Sequence, residues 1–228
     1  FVFQNKEYQL PLNSGSRPHS IHGIGWQNHW IQTELSSNGF TMELNYPEGD
    51  WPFPFKAKQR FVLDGPDLNH YMSITNLSDI DMPVGLGMHP YFPNRQGTKL
   101  TADVTEVWLT DDTCLPTNKV ECTSNWDLKA GALVAKLECD NQFEFWQGEA
   151  RINWPAENIS VGITASEDLD RLIVYAPQGE DFFCVEPTSH LTDAFNIVNQ
   201  QSNDETGMKV LEPGQSWEVW MKLAPVQH

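Results

Sequence analysis

The stretch Leu68-Asn69-His70-Tyr71-Met72-Ser73-Ile74-Thr75 alternates in character from one residue to the next. Side chains along a strand point to opposite faces in turn, so Tyr71, Ser73 and Thr75 share one face and His70, Met72 and Ile74 the other, the pattern of a half-buried strand. Working outward, segments of the same kind recur along the chain, rich in Val, Ile, Phe, Tyr and Trp and bounded by Gly, Pro, Asn and Asp. They fall at 40–44, 59–63, 70–75, 133–137, 150–154, 159–164, 171–175, 182–186 and 217–223, and nine is a lower bound. No stretch keeps apolar residues at helical spacing for three turns, and fifteen prolines interrupt most attempts. The reading is an all-β fold: antiparallel sheets packed face to face in a large β-sandwich with few short helices, one domain over residues 1–228.

Composition narrows the partners. There are 31 Asp and Glu against 14 Lys and Arg, a net charge of -17. Such a surface repels phosphate backbones and anionic lipid, so neither nucleic acid nor a membrane is an expected partner. A neutral small molecule carries no such penalty, and a phosphorylated one needs a local Arg or Lys cluster. No apolar run reaches the roughly 18–20 residues of a membrane helix, and no basic segment followed by an apolar one marks a signal peptide. Cys114, Cys122, Cys139 and Cys184 form no C-x-x-C pair, so four free thiols in a reducing cytoplasm are expected. A monomer and a homodimer both fit.

Nine tryptophans are present, and Trp26, Trp30, Trp51, Phe53 and Phe55 crowd the first quarter. They suit core packing, with one or two available as an apolar platform under a pyranose ring.

Three segments concentrate titratable and turn residues beside strands. The first, Ser16-Arg-Pro-His-Ser-Ile-His-Gly-Ile-Gly-Trp26, holds His19 and His22, with His29 beyond. Their spacing matches no zinc site and lacks an obvious fourth ligand, so no metal is expected. The second is Gly85-Leu-Gly-Met-His-Pro-Tyr-Phe-Pro93. Its proline biases His89 to extended backbone, and Gly85 and Gly87 permit close backbone approach. A histidine so placed suits proton transfer near neutral pH, or equally a buried structural role. The third is Phe182-Phe-Cys-Val-Glu-Pro-Thr-Ser-His-Leu-Thr-Asp-Ala-Phe-Asn196, in which Glu186 ends an apolar strand. Burial there raises a carboxyl's pKa toward that of a general base, unless an Arg pairs with it.

Taken together and in this order, the three segments resemble the aldose 1-epimerase (galactose mutarotase) superfamily, in particular its shorter bacterial branch with Arg-Pro-His-x-x-His-Gly-x-Gly-Trp. Cys139-Asp-Asn-Gln-Phe143 and Leu115-Pro-Thr117 are similar to further family stretches. The resemblance implies a large antiparallel β-sandwich with a concave sugar site, His89 as general acid, Glu186 as general base, and His22 and Asp140 as sugar-binding groups. It implies no metal and no cofactor. Family members usually carry an Asn-Arg pair before the His-Gly motif. None precedes His22 here, so Arg17 is the candidate to replace that Arg as a sugar contact. The short lead to His22 suggests that N-terminal strands of the family domain are lacking, which predicts unpaired strand edges near residues 1–13.

The activity so implied is interconversion of the α and β anomers of an aldose by acid–base ring opening and closure. Three rival readings share much of this pattern. One is a non-catalytic carbohydrate-binding or sensing domain. Another is a glycoside hydrolase using Asp140 and Glu186 as paired carboxylates, which leaves His89 unexplained. The third is a hexose-6-phosphate mutarotase, for which Arg17, Arg95, Arg151 and Arg171 are the available cations.

Overall fold

The computed structural model describes residues 1–15, 18–198 and 203–228. The alternating stretch lies in the strand Asp67–Asn76, paired antiparallel with Phe55–Asp64 on one side and Ser216–Gln227 on the other. Ile74 pairs with Ala57 and with Trp217, and all three are buried. Ser73 pairs with Lys58 and Glu218 on the opposite, wetter face.

These strands form the middle of a nine-stranded sheet. Its order is Ala132–Leu133, Lys99–Ala102, Glu149–Trp154, Ile159–Ala165, Ser216–Gln227, Asp67–Asn76, Phe55–Asp64, Gly39–Tyr46 and Ile31–Leu35. A six-stranded sheet runs Pro116–Glu121, Glu106–Thr110, Cys139–Glu144, Arg171–Ala176, Phe182–Thr188 and Tyr91–Pro93. Every pairing in both sheets is antiparallel. Leu100, Ile152, Ile163 and Val219 of the larger sheet and Val107, Phe143, Leu172, Val174, Phe183 and Val185 of the smaller are inaccessible members of one core. The expected β-sandwich is therefore present. Regular helix among the described residues is confined to Ala194–Ile197 and Asn203–Thr206 and a few 3-10 turns. No described helix is long and apolar enough to cross a membrane.

One expected strand is corrected. Residues 133–137 form the end of the short strand Ala132–Leu133 and then a 3-10 turn, Val134–Lys136. The buried residues there are Val134 and Leu137, three apart, which is the spacing of a 3-10 turn and not the two of a strand.

At the N-terminus Val2–Phe3 and Lys6–Glu7 make a separate two-stranded ribbon. Phe1 stacks on Tyr8 and Trp51, and Trp51 on Phe195, which fastens the ribbon to the body of the sandwich. The larger sheet ends on Ile31–Leu35, exposed along its length and broken by a register shift between Gln32 and Glu34. A bulge of this kind makes an open edge a poorer template for another strand.

The smaller sheet has two unlike faces. Cys139 and Phe143, Leu172 and Val174, and Phe183 and Val185 turn into the core. The alternate residues, Asp140 and Gln142, Ile173 and Tyr175, and Cys184 and Glu186, turn the other way, toward covering loops.

Candidate active site

On that outer face the register aligns Asp140, Tyr175, Cys184 and Tyr91 in one row across four strands, and Gln142, Ile173 and Glu186 in the next. Glu186 thus stands in the interior of the sheet, 5 % exposed. Gln142, also buried, donates from Nε2 to the His190 carbonyl at 2.7 Å and accepts at Oε1 from the Thr192 backbone N–H at 2.7 Å. It ties down the chain that leaves the glutamate strand.

His89 comes from the neighbouring segment. Leu86 donates from its backbone N–H to the Ser189 hydroxyl and accepts from the Ser189 N–H, Gly87 bridges Thr188, and the Met88 N–H donates to the Pro187 carbonyl at 3.0 Å. The same register continues through Tyr91 with Cys184, Phe92 with Phe183 and Pro93 with Phe182. It sets His89 across from Glu186, and His89 Nε2 lies 3.3 Å from Glu186 Oε1. The glycines make this approach possible. A Cβ on Gly85 would lie 2.3 Å from His190 Nδ1, and one on Gly87 would lie 3.0 Å from the Thr188 methyl. Tyr91, 63 % exposed, stacks on the His89 ring at 4.9 Å and 14°.

The electrostatics follow from burial. Enclosure, with the negative charge of Asp140 added, pushes the Glu186 carboxyl up to about 8. Burial holds the His89 imidazole below its ordinary value, against opposing effects of its own backbone and of Asp140. Burial thus favours the uncharged form of each group, the carboxylic acid of Glu186 and the neutral imidazole of His89. The two groups lie 3.3 Å apart, close enough for their titrations to be coupled.

The His22 loop closes over this pair. Asn13 clamps it, donating to the Ile21 carbonyl at 2.7 Å and accepting from the Ile21 N–H at 2.8 Å. His22 and Gly23 both adopt left-handed backbone, φ 57° and 65°. For the histidine this costs about 1–2 kcal/mol. The turn aims the His22 ring edge-on at His89, centroids 5.1 Å apart, with Trp26 edge-on behind it at 5.7 Å. His19 does not join them. Its Nε2 meets Thr113 Oγ1 at 3.1 Å, and Thr113 in turn donates to Asp111. That contact holds the 111–115 turn beside the site, where Cys114 Sγ lies 4.0 Å from Asp140 Oδ2.

Of the residues read from the sequence, His89 and Glu186 are thus in contact, His22 abuts His89, and the charge of Asp140 acts on both His89 and Glu186. Arg17 lies outside the described residues. The other arginines weighed for a phosphate are spent elsewhere. Arg95 pairs with Glu157, Arg151 with Ser160, and the buried Arg171 with Asp170, Glu144 and the Ser189 carbonyl. Among the early aromatic residues Trp51, Phe53 and Phe55 are core, whereas Trp26, half exposed, borders the site. Sequence reasoning did not single out Gln142, Tyr91, Cys114 or Cys184. Gln142 and Cys184 carried a signal, since each stands two residues from a named site residue on the same strand.

Comparison with known proteins identifies the family. The family model for aldose 1-epimerases matches residues 1–224. The chain belongs to the aldose 1-epimerase family. It is 27% identical over 231 residues to the uncharacterised protein YphB of Escherichia coli K12, spanning 98% of this chain and 77% of that one. Among solved structures, a provisional aldose 1-epimerase of Escherichia coli K12 superposes with a TM-score of 0.90 at 27% identity, over all of this chain and 79% of the other. A galactose mutarotase-like protein of Clostridium acetobutylicum shares the fold, with a TM-score of 0.87 at 21% identity, over all of this chain and 75% of its own.

Proposed function

We propose that this epimerase-family chain interconverts the α and β anomers of a free aldose, with His89 and Glu186 as its acid–base pair. The observation that carries the reading is the 3.3 Å contact between Nε2 and Oε1, which brings together two groups of shifted basicity. Mutarotation needs one base and one acid whose working atoms converge, because the anomeric hydroxyl and the ring oxygen are bonded to the same carbon.

Mutarotation uses the less favoured arrangement of one proton on the pair, with His89 protonated and Glu186 as the carboxylate. Glu186 removes the proton of the C1 hydroxyl while His89 donates to the ring oxygen. The C1–O5 bond breaks and the open chain carries an aldehyde at C1. Rotation about C1–C2 presents the other face of that aldehyde. The O5 hydroxyl then returns its proton to His89 and attacks C1, and the new C1 oxygen takes its proton from Glu186. The pair ends with the single proton it began with, so it runs in either direction. Asp140 and His22 serve as hydrogen-bonding partners for sugar hydroxyls, and Trp26 and Tyr91 offer aromatic faces to the ring's C–H groups.

The neutral aldose is preferred to its 6-phosphate because Arg95, Arg151 and Arg171 are engaged away from the pair. Exchange NMR between α and β anomers over a panel of aldoses and their 6-phosphates tests the proposal. Enhanced exchange with at least one neutral aldose, abolished by Glu186→Gln, is expected. Binding of sugars without any acceleration would assign the chain to a carbohydrate-binding role instead.

A further inference from the structure

Cys184 precedes Glu186 by two residues on one strand, so both side chains leave the sheet on the same face as His89. The Cys184 sulfur, a Glu186 carboxylate oxygen and a His89 ring nitrogen all lie within 4.8 Å of one another. Ligand atoms around a tetrahedral ion with bonds of about 2.0–2.3 Å stand roughly 3.3–3.8 Å apart, so modest side-chain rotations would close the trio on an ion.

The donor set selects the cation. A thiolate with an imidazole suits zinc or cadmium, whereas magnesium and calcium want oxygen ligands throughout. The surroundings favour a cation as well. The negative charge of Asp140 acts on both Cys184 and Glu186, and the chain as a whole carries -17.

We propose that His89, Cys184 and Glu186 form an inhibitory site for a soft divalent cation of the zinc and cadmium class. Binding replaces the thiol proton of Cys184 and the carboxyl proton of Glu186, releasing both to solvent. The ion then occupies the Nε2 lone pair and the carboxylate oxygen that ring opening requires, so metal and sugar compete. Inhibition rests on the acid–base reading given above, but the binding site does not.

The test uses the full chain and cobalt(II) as a spectroscopic probe for zinc. Titration should give near one cobalt per chain with a thiolate-to-cobalt charge-transfer absorption. Cys184→Ser should remove that band, His89→Asn should weaken binding at least 10-fold, and Cys122→Ser, at a half-buried thiol elsewhere, should leave both unchanged. Zinc inhibition of anomer exchange, scored against each variant's own metal-free rate, should become at least 10-fold less sensitive in Cys184→Ser. Absence of the band, or a band indifferent to Cys184→Ser, overturns the site. A Cys184-dependent band in a protein that accelerates no anomer exchange keeps the site and removes the epimerase reading. Exchange insensitive to zinc removes the inhibitory site and keeps the epimerase.

Discussion

His89 lies between the Gly87–Thr188 bridge and the Tyr91–Cys184 strand pair, and its Nε2 stands 3.3 Å from Glu186 Oε1. The bridge before it and the strand pair after it hold the histidine against the glutamate strand, so the backbone itself sets the two groups together for the acid–base roles proposed above.

Replacing either member should remove most of the catalysis. Glu186→Gln and His89→Asn are each expected to slow anomer exchange about 10²–10⁴-fold. The double variant should be little slower than the worse single one, since one group without the other completes no proton cycle. Exchange rates for the three variants decide the point, and near-normal turnover in either single variant would remove that residue from its role.

Activity should follow a bell in pH, because only the singly protonated pair works. Raising the pH through about 8 strips the last proton, leaving a base but no acid. Lowering it through the depressed value of His89 protonates both groups, leaving an acid but no base. Asp140→Asn removes the charge that helps both groups hold a proton, so both limbs should move to lower pH. A profile of kcat/KM against pH that keeps its alkaline limb in that variant would contradict the electrostatic account.

The buried Glu186 carboxyl should also weaken the fold. Its pKa is raised on folding, so its contribution to stability is largest below the ordinary carboxyl value and is lost as pH climbs toward about 8. Each unit of upward shift corresponds to about 1.4 kcal/mol. Glu186→Gln should consequently melt at or above the wild type, with the gap widening from pH 5 to pH 8. Thermal melts across that range that show a narrowing gap would reverse the sign and the argument.

Gly85→Ala tests the packing that brings the histidine segment to the glutamate strand. The new methyl would lie 2.3 Å from His190 Nδ1, so ring or backbone must shift, at about 1–3 kcal/mol. Lower Tm together with reduced exchange is expected. An unchanged Tm would mean that His190 has room to yield.

The sequence showed part of this. Alternation at 68–75 was legible because one face of that strand lies on a core and the other on water, which is the condition under which period two survives in sequence. Cys139–Glu144 was not read as a strand from periodicity. Its Asp, Asn and Gln are poor strand formers, kept in place by tertiary partners such as the Trp108 carbonyl for Asn141 and the His190 carbonyl for Gln142. His89 and Glu186 were visible through their motifs. Their ladder was not, since pairing between segments nearly a hundred residues apart depends on which strands become neighbours. Cys184 carries no such mark, since the absence of a C-x-x-C pair leaves it an ordinary free thiol until strand pairing sets it beside Glu186.

The two unlike faces of the six-stranded sheet have an evolutionary consequence. Along Cys139–Glu144, Arg171–Ala176 and Phe182–Thr188, alternate positions belong to the core and to the face that carries His89's partners. Selection for stability and selection for substrate therefore act on interleaved but separate sets of residues. If the proposed sugar site is right, exchanges at Asp140, Tyr175 or Cys184 should alter its specificity while Phe143, Val174 and Val185 keep the sandwich closed. A single inserted residue in any of these strands would swap the two sets, so the family can diversify by substitution here but not by changes of length.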